Sequence, residues 1–291
     1  MRIWREVDIA PLTTIGISAT VKALVQLQGE GDRDAFLRLA QEEGSVYALG
    51  KGSNIVPGRD RIPYVLLSIV PSYPPYLLEE DGERAVVRVH GGTLLRSLLL
   101  WCRRRGLWGL EHLAGIPGTI GGAIFMNAGS FGVTISQVIS RIRVWGPSLG
   151  DRWIERDGFS FGYRSLSVSG EEGPYLIWEA EAIFKKGDRK EITQRFRDAY
   201  MRKRSTQPVT LKTCGCLFKN PEGTSAGYLL DRAGLKGLRI GGVKLSEMHA
   251  NFLINMGGGR PSHVRDLIYV ARERVLDRFG YLLEMEAKIL E

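Results

Sequence analysis

Apolar positions along the chain alternate between two spacings, one near the 3.6-residue turn of a helix and one of two residues as in a strand. Over residues 32–43, Phe36, Leu37, Leu39 and Ala40 share one helical face, with Asp32 or Asp34 placed to cap the start and Gly44 to end it. Residues 46–49 read as a buried strand feeding a glycine turn. Residues 85–89 alternate apolar and polar as far as Gly91-Gly92; Thr93 is then placed to cap a helix that runs through Arg105 and stops at Gly106. Short strands are expected at 142–144, 153–154 and 176–184. A helix from 191 to about 204 turns Ile192, Phe196 and Ala199 inward, and the stretch 205–208, which ends in proline, breaks it. A domain boundary is expected there. Beyond it the pattern predicts a short helix at 225–233 closed by Gly234, a strand at 251–255, and a long amphipathic helix at 261–279 closed by Gly280. Val264, Leu267, Ile268, Ala271, Val275 and Phe279 form the inward face of that last helix. The fold class expected from this interleaving is α+β.

Length and charge narrow the function. A chain of 291 residues suits two or three compact domains, and 44% hydrophobic with 25% charged residues is the composition of an ordinary folded protein. A formal net charge of +8 favours anionic partners. The basic runs Arg103-Arg104-Arg105 and Arg202-Lys203-Arg204 sit at helix ends, without a polybasic arm or an aromatic-interleaved basic stripe, so a phosphorylated small molecule is expected rather than nucleic acid. No window reaches the roughly 18 uncharged apolar residues that span a bilayer, and residues 1–8 lack the apolar core of a signal peptide. Three cysteines argue for a reducing compartment; the expectation is a cytoplasmic protein with no membrane partner. Cys214 and Cys216 have no second thiol pair or histidine cluster to complete a zinc site, so no metal is expected, and Cys102 reads as a core residue.

Glycine-rich segments carry the first chemistry. Leu49-Gly50-Lys51-Gly52-Ser53-Asn54 follows a strand, and such a turn lets backbone N–H groups approach a pyrophosphate while Ser53 and Asn54 add polar contacts. Taken alone it reads equally as a tight turn, because Ile55 stands where a dinucleotide fingerprint has its third glycine. The second segment, from Gly109 through Gly115-Ile116-Pro117-Gly118-Thr119-Ile120-Gly121-Gly122-Ala123 to Met126-Asn127-Ala128-Gly129, is too rich in glycine and too poor in charge for a generic loop. Two such loops together suggest a dinucleotide.

Residues 115–123 with 126–129 resemble the flavin-binding signature of the UDP-N-acetylenolpyruvoylglucosamine reductases, whose flavin domain is of the vanillyl-alcohol oxidase type. The resemblance extends over nearly the whole chain, through Phe161-Gly162-Tyr163-Arg164-Ser165, Thr206-Gln207-Pro208, 214–221, Ala233-Gly234-Leu235-Lys236-Gly237, Ile240-Gly241-Gly242 and His249-Ala250-Asn251-Phe252. There is no room for the inserted tyrosine loop of the longer subclass. The resemblance implies a two-part FAD-binding domain, 1–60 and 61–205, followed by a C-terminal α+β substrate-binding domain, 206–291. It implies FAD as cofactor, NADPH as reductant and an enolpyruvyl UDP-sugar as substrate, in a protein expected to be a monomer.

Site residues follow by position. Gly50, Lys51, Gly52, Ser53, Asn54, Gly115, Ile116, Pro117, Gly118, Thr119, Gly121 and Gly122 are implied to hold FAD. Arg164 matches the family's catalytic arginine, a planar group suited to clamping a carboxylate. Cys216 stands where the family more often has a proton-donating serine. Glu286 matches the C-terminal acid, with Glu284 two residues away as the alternative. Tyr163, Arg202, Lys203, Lys219 and Asn220 are implied contacts of the UDP-sugar, although the cations can equally be solvated helix-end charges. His112 and His249 read as packing or hydrogen-bonding residues. Near the start, Ile17-Ser18-Ala19 replaces the family's usual glycine pair and proline, so the adenine end of FAD is expected to be held differently. A flavin-dependent oxidase would lack the 218–221 and 246–252 segments, and a nucleotide-sugar sensor would lack Arg164 or Glu286.

Overall fold

The computed structural model describes residues 1–42, 45–70 and 73–291. Six α-helices are described: α1 Arg33–Glu42, α2 Leu95–Arg105, α3 Ile120–Phe125, α4 Arg189–Thr206, α5 Ala226–Arg232 and α6 Pro261–Phe279. The chain divides into two compact units. The first comprises Met1–Trp4, Ala23–Gly50 and Tyr64–Arg202; the second comprises Arg5–Lys22, Lys51–Pro63 and Lys203–Glu291.

The first unit is organised on the strand Leu176–Lys186, which pairs antiparallel with Ile139–Gly146 on one side and Arg84–His90 on the other. Gly150–Glu155 and Tyr76–Glu80 extend this sheet outward. A register shift between Arg143 and Val144 changes the phase of the central strand: Leu176 and Trp178 face one core, while Ile177, Ala180, Ala182 and Phe184 face another. In the first core Trp178 stacks on Trp145 at 3.8 Å and 10°, against Phe36 and Ala40 of α1. The second core takes Leu95, Leu98, Leu99 and Cys102 of α2 with Ile120, Ala123 and Ile124 of α3. This burial pushes the Cys102 thiol far up from its ordinary value and so keeps it inert.

The second unit carries a four-stranded antiparallel sheet in the order Thr213–Cys216, Phe252–Asn255, Val243–Leu245, Arg239–Ile240. A separate parallel pair joins Lys288–Leu290 to Ile55–Pro57. The apolar stripes of α5 (Ala226, Leu229, Leu230) and α6 (Val264, Leu267, Ala271, Val275) share one core with Ile15, Ile17 and Val56.

Most predicted elements are present, with informative differences. α6 has the expected bounds and ends on Gly280 at φ 72°, and Ser225 caps α5 by accepting from the Tyr228 N–H at 3.2 Å. Thr93 does not cap α2. Leu94 holds the N-cap position, and the Thr93 hydroxyl donates to the Tyr73 carbonyl at 2.8 Å. At the start of α1, Asp32 accepts from the Gln28 N–H at 2.7 Å, and Asp34 pairs with Arg33. The expected stop at Gly44 lies outside the described residues. The strand Val46–Ala48 is partly exposed rather than buried.

Candidate active site

In the first unit the two glycine segments approach each other through backbone. A Cβ on Gly50 would stand 2.6 Å from the Thr119 hydroxyl and 3.8 Å from the Gly122 Cα. The Gly121 N–H donates to the Gly91 carbonyl at 2.8 Å, and Thr119 accepts from the Gly122 N–H at 3.3 Å. Packing therefore explains glycine at 50 and 121. It does not explain Gly118, where a Cβ would meet no atom within 4 Å and φ requires no glycine. Ile116, Pro117, Gly118 and Thr119 remain at least partly accessible, so this stretch fits a loop kept bare for a bound group to lie on backbone. These residues fit the pyrophosphate of a dinucleotide.

Arg164 sits in the two-residue turn of a hairpin whose strands, Phe159–Gly162 and Ser165–Val168, close with the Gly162 and Ser165 pair. Its φ of 57° lies in the left-handed region, where glycine or asparagine is the ordinary choice. The guanidinium reaches back to the carbonyls of Asn127 and Gly129, both at 3.4 Å, and lies 5.2 Å from the centre of the exposed Tyr163 ring. Arg202, the last residue of the first unit, stacks its guanidinium 4.3 Å over Phe131. The Phe131 carbonyl pairs with His112 Nδ1 at 3.1 Å, so His112 is a hydrogen-bonding residue.

The second unit brings together Cys216, Glu286 and Asn54. The Leu217 carbonyl accepts from the N–H groups of Glu286 and Ala287 at 2.9 and 3.2 Å, and Lys219 N–H donates to the Glu284 carbonyl at 2.8 Å. The segment after Cys216 and the C-terminal segment are thus laced side by side. The Asn54 amide donates to the Glu286 carbonyl at 3.1 Å and fixes the same place from a third side. Glu284 points away to a salt bridge with Lys219 at 3.2 Å and is largely exposed, whereas Glu286 is half-buried. This geometry separates the two glutamates that the sequence left close.

Gly215, between the two cysteines, has φ 80° at a register shift, and Cys214 turns into the apolar core while Cys216 stays half-accessible. Burial pushes the Cys214 thiol up to about 12, with the charges of Cys216 and Glu286 adding to the rise. Of the two thiols, Cys216 is the more accessible. Asn220 accepts from the Ala226 N–H at 3.1 Å at the start of α5. The His249 ring accepts from the Asn251 N–H at 3.3 Å, and burial lowers its pKa.

Lys203 extends the inward stripe of α4, at spacings of four, three and four from Ile192, Phe196 and Ala199, and is only 2% exposed. Burial lowers its pKa to about 8. It is therefore not a solvated helix-end charge, and the same spacing is visible in the sequence. The altered opening segment is also accounted for. Ile15 and Ile17 are fully buried, and the Asn255 amide donates to the carbonyls of Ile15 and Gly16 at 3.0 and 2.9 Å. Thr14 N–H in turn donates to the carbonyl of Gly52 at 3.2 Å. Gly52 is at φ 64°, and a Cβ there would collide with the Leu12 carbonyl. Asn255 went unnoticed in the sequence; a polar residue closing the apolar run Phe252-Leu253-Ile254 was the available signal.

A family model of the UDP-N-acetylenolpyruvoylglucosamine reductase C-terminal domain matches residues 207–290, and one of an FAD binding domain matches residues 21–148. The UDP-N-acetylenolpyruvoylglucosamine reductase of Nitratidesulfovibrio vulgaris is 38% identical over 97% of this chain and 96% of its own. That of Aquifex aeolicus is 34% identical over 100% of this chain and 96% of its own. The crystal structure of the Thermus caldophilus enzyme superposes with a TM-score of 0.83 at 30% identity, covering 100% of both chains.

Proposed function

The chain belongs to the UDP-N-acetylenolpyruvoylglucosamine reductase family, and from that premise we propose which of its residues carry the reaction. The protein is an oxidoreductase that reduces UDP-N-acetylglucosamine enolpyruvate to UDP-N-acetylmuramate with NADPH and FAD, a step of peptidoglycan precursor synthesis. When bound, FAD supplies the hydride relay between NADPH and the enolpyruvyl ether. We assign its binding to Gly50, Lys51, Gly52, Ser53 and Asn54 with Gly115, Ile116, Pro117, Gly118, Thr119, Gly121 and Gly122, on the strength of the bare backbone at Gly118.

Reduction of the double bond sends negative charge toward the substrate carboxylate, which must be held and the carbanion then protonated. Arg164 is the carboxylate clamp, because a guanidinium offers a planar two-point contact and this one is oriented by two carbonyls. Cys216 is the proton donor, since a thiol with a reference pKa of about 8.5 is a stronger acid than the hydroxyl it replaces. Glu286 supports it as the acid partner. The observation that carries this reading is the lacing of the Leu217 carbonyl to Glu286 and Ala287, which sets the acid beside the thiol's strand. Tyr163, Arg202, Lys203, Lys219 and Asn220 are the proposed contacts of the UDP-sugar.

We further assign the segments 1–60 and 61–205 to cofactor binding and 206–291 to the UDP-sugar, and place the protein in the cytoplasm as a monomer. No helix among the described residues is long and apolar enough to cross a membrane. The test is anaerobic spectroscopy of the yellow holoprotein. NADPH should bleach the flavin band and the enolpyruvyl UDP-sugar should restore it. Bleaching without restoration would refute the substrate assignment, and colourless protein that takes up no FAD would refute the cofactor site.

A further inference from the structure

The Arg164 hairpin is held in place by a residue that the reaction itself does not require. Asn127 follows α3 at φ 40°, a left-handed conformation that asparagine tolerates better than most side chains. Its N–H donates to the Ile124 carbonyl at 3.0 Å, which fixes it to the end of that helix. Two bonds then reach the catalytic hairpin. The Asn127 amide donates to the Gly162 carbonyl at 2.9 Å, at the closing pair of the hairpin, and the Asn127 backbone carbonyl accepts from Arg164 Nη1 at 3.4 Å. One residue thus holds both the base of the turn and the guanidinium at its tip.

Three further observations favour a positioning role over simple packing. Asn127 is 8% exposed, and its Oδ1 is buried without a hydrogen-bond partner among the described residues. An unsatisfied buried acceptor is costly, so the side chain is retained for its donor. Gly129, whose carbonyl takes the second guanidinium contact, has no room for a side chain: a Cβ there would lie 3.2 Å from Arg164 Nη1 and 2.7 Å from Thr134 Cγ2. Arg164 itself is in a left-handed conformation, which persists only where surrounding contacts over-determine it. We propose that Asn127 is a positioning residue for Arg164, its side-chain amide setting the aim of the guanidinium at the substrate carboxylate. The proposal rests on the reading of Arg164 as the carboxylate clamp.

Asn127→Gly is the informative variant. Glycine accepts φ 40° and keeps the backbone carbonyl that meets Arg164, so only the amide bond to Gly162 is lost. Misplacement of the clamp should slow anaerobic flavin reoxidation by the enolpyruvyl UDP-sugar by about 10- to 100-fold. Flavin reduction by NADPH should stay within about twofold, because that half-reaction makes no use of the substrate carboxylate. In an Arg164→Lys background the same change should cost less than about threefold, since a residue that acts through Arg164 has little left to lose. Equal loss in both half-reactions, additive losses in the double variant, or wild-type reoxidation by Asn127→Gly would each overturn the proposal. If Asn127→Gly does not retain FAD, Asn127→Asp, which keeps bulk and left-handed tolerance, is measured in the same way, and loss of FAD from both also overturns it. Should Arg164→Lys alone reoxidise normally, the clamp assignment fails first, which distinguishes that failure from one of Asn127.

Discussion

Removal of the Asn255 side chain should loosen the opening segment and with it the turn at Gly52. The amide makes four hydrogen bonds, all to backbone: it donates to the Ile15 and Gly16 carbonyls at 3.0 and 2.9 Å and accepts from the N–H groups of Gly257 and Gly259 at 3.0 and 3.2 Å. In Asn255→Ala the Gly257 N–H lies at an exposed turn, where water can replace the amide, so its loss costs little. The Ile15 carbonyl belongs to a fully buried residue, and leaving such an acceptor unpaired costs about 1–3 kcal/mol. The Gly16 and Gly259 bonds contribute about 0.5–1.5 kcal/mol each, so the total comes to about 2–6 kcal/mol. For a unit of this size that corresponds to a fall in melting temperature of about 6–24 °C.

The assay is a thermal melt followed by circular dichroism and by release of flavin fluorescence, with dilution of the holoprotein to measure FAD retention. Flavin release should precede unfolding in the variant, because Thr14 in the loosened segment is bonded to the Gly52 carbonyl. Asn255→Asp should be worse than alanine at neutral pH, since it sets a carboxylate against two carbonyl oxygens. A fall below about 3 °C, or an aspartate variant more stable than the alanine one, would refute the donor-pair reasoning.

Arg164→Lys should slow substrate-driven flavin reoxidation by about 100-fold or more while sparing reduction by NADPH, as lysine keeps the charge but loses the two-point clamp; equal damage to both half-reactions would give Arg164 a structural role. Cys216→Ala should reoxidise about 10²–10⁴-fold more slowly, the usual contribution of a general acid, whereas Cys216→Ser should keep partial activity and move the alkaline limb of the pH profile upward. Wild-type turnover by the alanine variant would make Cys216 a bystander. Lys203, whose pKa falls from 10.5 to about 8 on folding, is protonated in the unfolded chain and neutral in the folded one between those values. The unfolded state then holds more protons, so this residue makes stability rise with pH from about 8 to 10.5, by at most about 3 kcal/mol, and adds no slope below that window. Denaturant titrations of wild type and Lys203→Met across this range should converge as pH rises, and parallel curves would place the amine in water.

The sequence carried five of the six described helices and missed α3, which lies inside the glycine-rich segment. Gly106 and Gly280 end α2 and α6 in the left-handed region, as their spacing implied, while the cap of α5 by Ser225 is visible only in the structure. It carried Arg2–Asp8 poorly. That strand is exposed along almost its whole length, so no apolar alternation marks it. Thr20–Leu27 does show buried positions on alternate residues at its start, but three consecutive buried ones follow and blur the period. The candidate site divides in the same way. Glycine density pointed to the bare loop at Gly118, because composition alone reveals backbone left uncovered. It could not separate Glu284 from Glu286, since that depends on which glutamate a distant lysine draws outward.

A second kind of feature is a residue that contradicts its local setting. Arg164 occupies a turn position suited to glycine, and Lys203 sits on a stripe otherwise apolar. A left-handed arginine costs on the order of 1 kcal/mol, and a lysine held near pKa 8 also costs stability at neutral pH. Natural sequences break such rules chiefly where function demands it. Asn127 adds the same signature through its positive φ and unpaired oxygen, and it grips the first of these two residues. Local inconsistency, measured against an otherwise conforming sequence, therefore coincides with the proposed carboxylate clamp, a proposed UDP-sugar contact and the residue proposed to aim the clamp. It does so independently of the glycine loops, to which the cofactor is assigned.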